Sequence, residues 1–337
     1  MKTMTPVNTF VTQANDDLVA WKYRTPTLDG IDPEAAPYSK HPNGPSHDVC
    51  LTLDHAAHNL LPDARVIALD RFAKLRIRWH DGWQSGPSNH LRSSQVQCVN
   101  ALMPFVDDPQ SLAELFAPVL PIETVVPFGD PGAPNDHVVF EWIGLVDYLN
   151  ESTGAKRTRG ANVTSVDAAI RYVASDGAIE IALIEWKYTE AYPSPSPKHD
   201  AAKNATRRSR YEDLWGSVVR TDLLDLEDLF VEPIYQMLRQ QMLAHEMEQA
   251  HELGADRVRV VYAAPAANLA LWSSLATPKL REFHVPGSDA PVGDITEVWG
   301  ALRLEPDRFV RLDTASLVAP EAPTSGDFKD RYSHLAG

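Results

Sequence analysis

The spacing of apolar residues changes several times along the first 90 residues. Residues 1–45 are rich in Pro, Asp, Asn and Thr and show no regular apolar period, so we expect a mostly irregular arm. Residues 50–61 carry apolar side chains at helical spacing and predict a helix. In residues 65–79 apolar and basic side chains come to alternate, as in Ile77 and Arg78, which indicates β structure.

Two helices and a strand are predicted next. Ser93 or Ser94 is suited to cap a helix that ends near Met103, and a second short helix covers 111–116. Residues 138–144 are apolar and either β-branched or aromatic, which favours a strand. Because the same apolar spacing also fits a helix continuing beyond them, both interpretations stay open, with the strand preferred.

Residues 162–190 contain two runs of β-type residues separated by Ser175, Asp176 and Gly177. A three-residue hairpin loop favours glycine at its last position, where the backbone is left-handed. The segment therefore predicts a β-hairpin.

A long helical run at 229–253 follows the hairpin, and a strand of buried type follows at 258–263. Since the strand–helix–strand order is a crossover connection, the last strand is expected to run parallel to an earlier one. Residues 189–228, which begin with a proline-rich loop, look like an insertion carrying a short helix.

The rest of the chain predicts helices near 269–275 and 295–302, a short strand at 309–312 and a loose tail. The expected fold class is α/β with a mixed sheet. We divide the chain into an N-terminal extension (1–130, an irregular arm, helices and a short β segment), a core (131–265, with the insertion 189–228) and C-terminal helices with a tail packed on the core (266–337).

Three charged residues of the hairpin are expected to lie on one face. Side chains alternate across a strand, so Glu185 and Lys187 point the same way. A three-residue loop centred on Asp176 places Asp167 directly opposite Glu185. Two carboxylates and an ammonium then converge at the end of an apolar hairpin.

Paired carboxylates repel each other unless a cation lies between them. Mg²⁺ prefers carboxylate, carbonyl and water oxygens, and it often meets phosphate at its open positions. Lys187 beside such an ion is suited to orient or deprotonate a water, or to stabilise charge on a phosphoryl group. This pattern predicts phosphodiester hydrolysis, although Glu-x-Lys is a common tripeptide that is also typical of a surface salt bridge.

Asp167, followed by Glu185, Trp186 and Lys187 in an αβββαβ order, resembles the PD-(D/E)XK nuclease superfamily, which includes restriction endonucleases. The resemblance covers about 140–264. It implies a restriction-endonuclease-like core in which Asp167 and Glu185 bind metal and Lys187 is the catalytic lysine. Val166 stands where the motif has proline, and the insertion enlarges the connection before the core helix.

The same resemblance suggests additional site residues. Glu141 is placed where many of these nucleases keep a further metal-binding acid, with Glu151 as the alternative. Relatives with a glutamine on the long helix use it near the site, which makes Gln236 and Gln240 auxiliary candidates. The implied cofactor is Mg²⁺, for which Mn²⁺ can substitute.

Two basic runs flank the proposed site, and both are candidates for contacting phosphates. The chain has a formal net charge of −15 at pH 7, which argues against a phosphate-binding surface everywhere but not against a local one. Arginine and lysine in loops neutralise phosphates without reading bases. The candidates are Lys156, Arg157, Arg159, Arg207 and Arg208.

Composition narrows the remaining classes of function. The two cysteines, Cys50 and Cys98, cannot form a disulfide scaffold and favour a reducing cytoplasm. The chain has neither a stretch of membrane-spanning length nor an N-terminal secretory signal, so no membrane partner is expected. Phosphate-loop, dinucleotide-binding, zinc-protease and serine-hydrolase motifs are also absent.

These observations predict a Mg²⁺-dependent endonuclease that hydrolyses phosphodiester bonds, with DNA favoured over RNA. One alternative is a catalytically inactive nucleic-acid-binding or protein-interaction module on the same fold. A protein–protein scaffold is a third hypothesis, suggested by the acidic charge. A homodimer is compatible with each of them.

Overall fold

A computed structural model describes residues 9–152, 157–192 and 201–336. Its centre is a six-stranded sheet, and a separate two-stranded sheet lies near the N-terminus. The small sheet consists of β1 (Ala36–Pro37) and β2 (Ser46–His47). The large sheet consists of β3 (Ile122–Val126), β4 (Val138–Trp142), β5 (Val166–Ala174), β6 (Ile179–Trp186), β7 (Arg257–Ala264) and β8 (Phe309–Asp313).

Helices surround this sheet. They are α1 (Thr9–Arg24), α2 (Pro62–Leu75), α3 (Ser94–Leu102), α4 (Pro109–Phe116), α5 (Ala201–Tyr211), α6 (Ile234–Gln249), α7 (Leu269–Trp272), α8 (Pro278–Arg281), α9 (Ile295–Leu302) and α10 (Gly326–Arg331). Short 3₁₀ helices lie between them. None of the helices in the described part of the chain is long and apolar enough to cross a membrane.

The large sheet is mixed in orientation, as expected for the predicted α/β class. β3 and β4 both pair with β5, and β5 pairs with β6, all antiparallel. β7 then pairs parallel with β6, and β8 parallel with β7. The sheet therefore includes β3 from the predicted N-terminal extension and β8 from the C-terminal segment.

The predicted hairpin and its register are confirmed. β5 and β6 pair through Ala168 with Ile184 and Ala169 with Leu183, the register that places Asp167 opposite Glu185. Gly177 has a φ of 86°, so it takes the left-handed position of the turn that a side chain would disfavour.

Other predictions between α3 and β8 are confirmed with changed bounds. The Ser93 hydroxyl accepts a hydrogen bond from the Val96 N–H and caps α3. Residues 138–142 form a strand rather than a helix. The long helix is shorter than predicted at both ends, because a separate 3₁₀ helix (Leu226–Leu229) and Pro233 precede α6.

The prediction of an irregular N-terminal arm is wrong at Thr9–Arg24, which form the helix α1. Its buried residues Phe10, Ala14, Leu18 and Trp21 recur every three or four positions. This stripe satisfies helical periodicity even though polar residues separate its members.

The β structure predicted for 65–79 is also wrong, because most of this segment is the helix α2. Pro62 occupies its first turn, where its missing N–H costs nothing, and Ala64, Ala68 and Phe72 form a buried stripe of period four. Alternation holds only after the helix ends, where Ile77 is buried and its neighbours are exposed. The helix predicted for 50–61 is a 3₁₀ helix at Leu53–Asn59.

The C-terminal tail is packed rather than loose. Arg331 and Tyr332 are fully buried, and the Arg331 guanidinium donates to the backbone carbonyls of Asn59 and Leu91. These bonds tie α10 to the N-terminal part of the chain, because a buried guanidinium needs acceptors for its N–H groups.

Two apolar cores lie on opposite faces of the sheet. One contains even-numbered residues of the hairpin such as Ile170 and Ile184, packed against α1–α4 and the C-terminal segment. The other contains odd-numbered residues such as Ala169 and Leu183, packed against α6 and α9. By strand alternation, Glu185 and Lys187 belong to the face that α6 covers.

Candidate active site

Three carboxylates lie in one row across three adjacent strands. The β4–β5 register places Glu141 opposite Asp167, and the β5–β6 register places Asp167 opposite Glu185. Tyr262 of β7 pairs with Glu185 and continues the row. Since neighbouring strands in a sheet lie about 4.8 Å apart, the fold itself brings the three acids together.

Asp167 is the central acid of this row. Its carboxylate Oδ2 accepts a hydrogen bond of 2.7 Å from the backbone N–H of Trp186, which fixes the side chain against β6. Burial raises the pKa of Asp167 well above its usual value, and the negative charges of Glu185 and Glu141 raise it further. The row therefore carries an electrostatic strain that a cation would relieve.

Glu185 is buried and contacts both the ammonium of Lys187 and the amide of Gln240. Lys187 Nζ lies 2.5 Å from Glu185 Oε1. Gln240 Nε2, from α6, donates to Glu185 Oε2. Although burial lowers the pKa of Lys187, the Glu185 carboxylate and neighbouring tyrosines raise it, with a net result well above its usual value.

Glu141 has a backbone conformation that is unusual for a side-chain-bearing residue. Its φ is 50°, in the left-handed region, at a position inside β4. Such conformations cost roughly 1–3 kcal/mol and cluster at functional sites. Glu141 Oε1 accepts a 2.6 Å hydrogen bond from Gln95, and Oε2 accepts a 2.8 Å bond from the Ser165 hydroxyl.

Burial is the main cause of a raised pKa at Glu141, and the charge of Glu185 adds to it. Hydrogen bonds from Ser165 and Gln95 favour the ionised form and oppose this effect. The result is a pKa of about 7. A carboxyl group that exchanges its proton near neutral pH in a buried site is typical of a functional position.

α3 supplies two glutamines to the site, Gln95 and Gln97, which the sequence did not identify as site residues. Gln95 bonds Glu141, and Gln97 Oε1 accepts from the Trp186 indole N–H at 2.9 Å. Every residue of α3 from Gln95 to Leu102 is buried. Buried amides in a mostly apolar helix, Gln95 and Gln97 together with Asn100, are the signal that points to these residues, because buried polar groups need partners.

The donors in the row suit a hard divalent cation, since they are all oxygens. Gln240 also contributes, because its buried Oε1 has no hydrogen-bond partner in the described part of the chain while its Nε2 donates to Glu185. Within the described residues, however, no group of three or more His, Cys, Asp or Glu side chains is already spaced to hold a metal ion.

Glu151, the alternative acid, belongs to a neighbouring polar cluster. Its carboxylate accepts hydrogen bonds from the Thr164 hydroxyl at 2.8 Å and the Tyr211 hydroxyl at 2.6 Å, with Arg239 at 4.0 Å. These contacts join the 150s loop to α5 and α6, so Glu151 has a bracing position outside the row.

The predicted phosphate-contacting arginines near β4 hold the protein's own backbone. Arg157 donates to the carbonyls of Ile143 and Gly144. Arg159 donates to the Phe140 carbonyl and forms a buried ion pair with Asp130. Lys156 lies outside the described residues.

The remaining candidates lie on α5 and α6. Arg207 stacks on the Tyr235 ring with 4.7 Å from Cζ to the ring centroid, whereas Arg208 forms an exposed pair with Glu227 at 2.9 Å. Of the two auxiliary glutamines, Gln240 reaches the site. No hydrogen bond described at the site involves Gln236.

Comparison with known protein families gives a match over most of the chain. Neither the curated proteins nor the solved structures include a significant match to this chain. The sequence model of REase-ARP, described as restriction endonuclease associating with ARP, matches residues 22–333. This range includes the whole sheet and every residue of the carboxylate row. The chain therefore belongs to the REase-ARP family of restriction-endonuclease-like proteins.

Proposed function

We propose that this protein is a metal-dependent nuclease that hydrolyses phosphodiester bonds of DNA. The observation that carries the proposal is the row of Glu141, Asp167 and Glu185 with Lys187 in contact with its last member. A restriction-endonuclease-like family supports nuclease chemistry in general. The choice of metal and residues is our inference from the site, and DNA as the substrate is inferred from the family description.

Asp167 and Glu185 are the proposed metal ligands, with Glu141 as a further acid beside them. Mg²⁺ bound there would polarise the scissile phosphate and lower the pKa of the attacking water, and Mn²⁺ would serve the same purpose. The backbone N–H of Trp186 donates a hydrogen bond to Asp167, and the side-chain amide of Gln240 donates one to Glu185. Residues that orient metal ligands in this way preserve both affinity and geometry.

Lys187 is the proposed cationic group of the reaction. Its buried ammonium is held 2.5 Å from the Glu185 carboxylate, and buried charges interact more strongly than solvated ones. When phosphate occupies the site, the same ammonium is positioned to stabilise negative charge that develops on the phosphoryl oxygens.

The family description contributes two proposed partners. A restriction endonuclease acts on DNA, so we infer duplex DNA as the substrate in preference to RNA. The second is an ARP partner, with which this family is said to associate. Both partners are inferred from the family description, whereas the catalytic proposal also rests on the row of acids and Lys187.

One observation favours a second candidate function, a nucleic-acid-binding module without cleavage. The acids of the row are not spaced as a finished metal site within the described residues. Such a module would retain DNA in the presence or absence of divalent metal, and its binding would be unaffected when Asp167 is neutralised.

Cleavage of supercoiled plasmid DNA in Mg²⁺ distinguishes the two candidates. The wild-type protein should convert the plasmid to nicked or linear forms, and Asp167→Asn should not. Asp176→Asn is the matched control, because it makes the same change at the exposed turn of the same hairpin. Equal cleavage by the wild type and Asp167→Asn would refute the assigned site, and DNA binding without any cleavage would select the module.

A further inference from the structure

A cleft of about 730 Å³ lies where α2 ends and the following loop begins. It is lined by the segment that follows α2, by the turn around Gly82 and Gly86, and by Lys40. Phe72 and Trp79, with rings stacked 3.8 Å apart, form part of its lining. The residues that line this cleft are different from those of the carboxylate row.

The cleft presents two exposed arginines, Arg76 and Arg78. Arg76, in the left-handed conformation that ends α2, and Arg78 are both exposed, whereas Ile77 and Trp79 beside them are buried. In the described part of the chain, neither guanidinium forms a salt bridge. A cation without a carboxylate partner stands out in a protein with a net charge of −15.

The acid of the cleft is already neutralised by other groups. Asp81 pairs with Lys40 at 3.0 Å and accepts a 2.7 Å hydrogen bond from the Tyr38 hydroxyl. The charges left uncompensated in the cleft are therefore those of Arg76 and Arg78, and they are positive.

The cleft is joined directly to the carboxylate row. Gln95 Nε2 donates both to the Arg78 carbonyl at 3.2 Å and to Glu141 at 2.6 Å, so a single amide separates the cleft wall from the first acid. The side-chain oxygen Oε1 of Gln95 accepts a hydrogen bond of 2.8 Å from the backbone N–H of His80. The Arg78 N–H also donates to the Arg159 carbonyl at 3.1 Å.

We propose that this cleft binds the phosphate backbone of duplex DNA beside the bond to be cleaved, with Arg76 and Arg78 neutralising one phosphate each. The proposal rests on the proposed nuclease function and identifies how the substrate approaches it. Arginine suits this role because its planar guanidinium donates two parallel hydrogen bonds to phosphate oxygens. Contacts of this kind position the duplex without reading its sequence.

Fluorescence anisotropy with a labelled DNA duplex tests the cleft. Binding is measured in EDTA, where metal-dependent cleavage is prevented, for the wild type and the double variant Arg76→Gln/Arg78→Gln. Each phosphate contact contributes about 0.9 to the slope of log affinity against log salt, so the slope should fall by about 2. From about 50 to about 200 mM salt, the wild type should lose about twelvefold more affinity than the variant.

The matched control is Arg24→Gln/Arg220→Gln, which removes the same charge from arginines paired with Asp330 and Asp222, outside the cleft. Its slope should equal that of the wild type, and thermal unfolding should show both double variants folded. If the cleft variant binds with the wild-type slope while the wild type cleaves DNA, the proposed role of the cleft is refuted and the nuclease proposal stands. A wild type that neither binds nor cleaves DNA would overturn both proposals.

Discussion

The raised pKa of Glu141 makes a prediction about stability that needs no substrate. In the folded protein this carboxyl keeps its proton up to a pH of about 7, whereas the ordinary value is 4.5. Between these values the folded state binds more protons than the unfolded state, so stability falls as the pH rises. The full difference corresponds to about 3 kcal/mol, because each tenfold change in acidity is worth about 1.4 kcal/mol.

Urea unfolding of metal-free protein at about pH 5.5 and about pH 8.5 measures this effect. From the two pKa values, the ionisation of Glu141 should lower the free energy of unfolding of the wild type by about 2 kcal/mol from the lower to the higher pH. Glu141→Gln cannot ionise, so the difference in unfolding free energy between wild type and variant should change by that amount. Glu123→Gln, the same change at an exposed position of β3, is the control.

A constant difference between the wild type and Glu141→Gln at both pH values would refute this reasoning. It would mean that Glu141 is ionised in the folded protein throughout, so that burial and Glu185 do not act on it as inferred. The same series repeated with Mg²⁺ should show a smaller loss of stability at high pH, since a cation that binds the ionised row stabilises the folded state.

Three further predictions concern the residues around the row. Asp167→Asn should weaken Mn²⁺ binding at least about tenfold in calorimetry, and unchanged affinity would remove Asp167 from the metal site. Gln240→Leu should lower the free energy of unfolding by about 1–3 kcal/mol, because Glu185 loses a buried donor; an unchanged urea midpoint would contradict this. Arg159→Ala should cost about 3–5 kcal/mol in the same assay, since Asp130 stays buried without its cation, whereas a loss below about 1 kcal/mol would show the pair to be dispensable.

The central hairpin is predictable from the sequence because the length of its turn determines the register of its two strands. Gly177 identifies the left-handed position of the loop, and once the loop length is known the strand register follows. This register places Asp167 opposite Glu185 without any information from distant parts of the chain. Local chemistry therefore determined the middle of the candidate site.

The N-terminal helices could not be read in the same way. In α1 the buried stripe is diluted by polar residues, and packing against the C-terminal α10 and the tail supplies contacts that no local window contains. In α2 the alternation of apolar and basic residues holds only after residue 75, where the helix has ended, and it does not describe the residues before it. A period of two over five residues was too short to determine the structure of the preceding turn.

Glu141, the acid at the edge of the row, shows that the partners of a charged residue cannot be predicted from the local sequence. Glu141 is predicted from a resemblance, but the local sequence does not show its left-handed backbone, and its partner Gln95 lies 46 residues earlier in the chain, on α3. Likewise the sequence assigned Arg159 to phosphate, whereas the fold pairs it with Asp130. A charge in a loop does not reveal whether its partner is solvent, substrate or the protein's own backbone.

The most direct test of the central claim is cleavage of plasmid DNA with Mg²⁺ by wild type and Lys187→Ala, with the exposed Lys279→Ala as control. Removing a group that stabilises transition-state charge should slow cleavage roughly a hundredfold or more in Lys187→Ala and leave the control unchanged. Equal cleavage by all three proteins would show that the reaction occurs elsewhere. Absence of cleavage by the folded wild type would contradict the nuclease proposal itself.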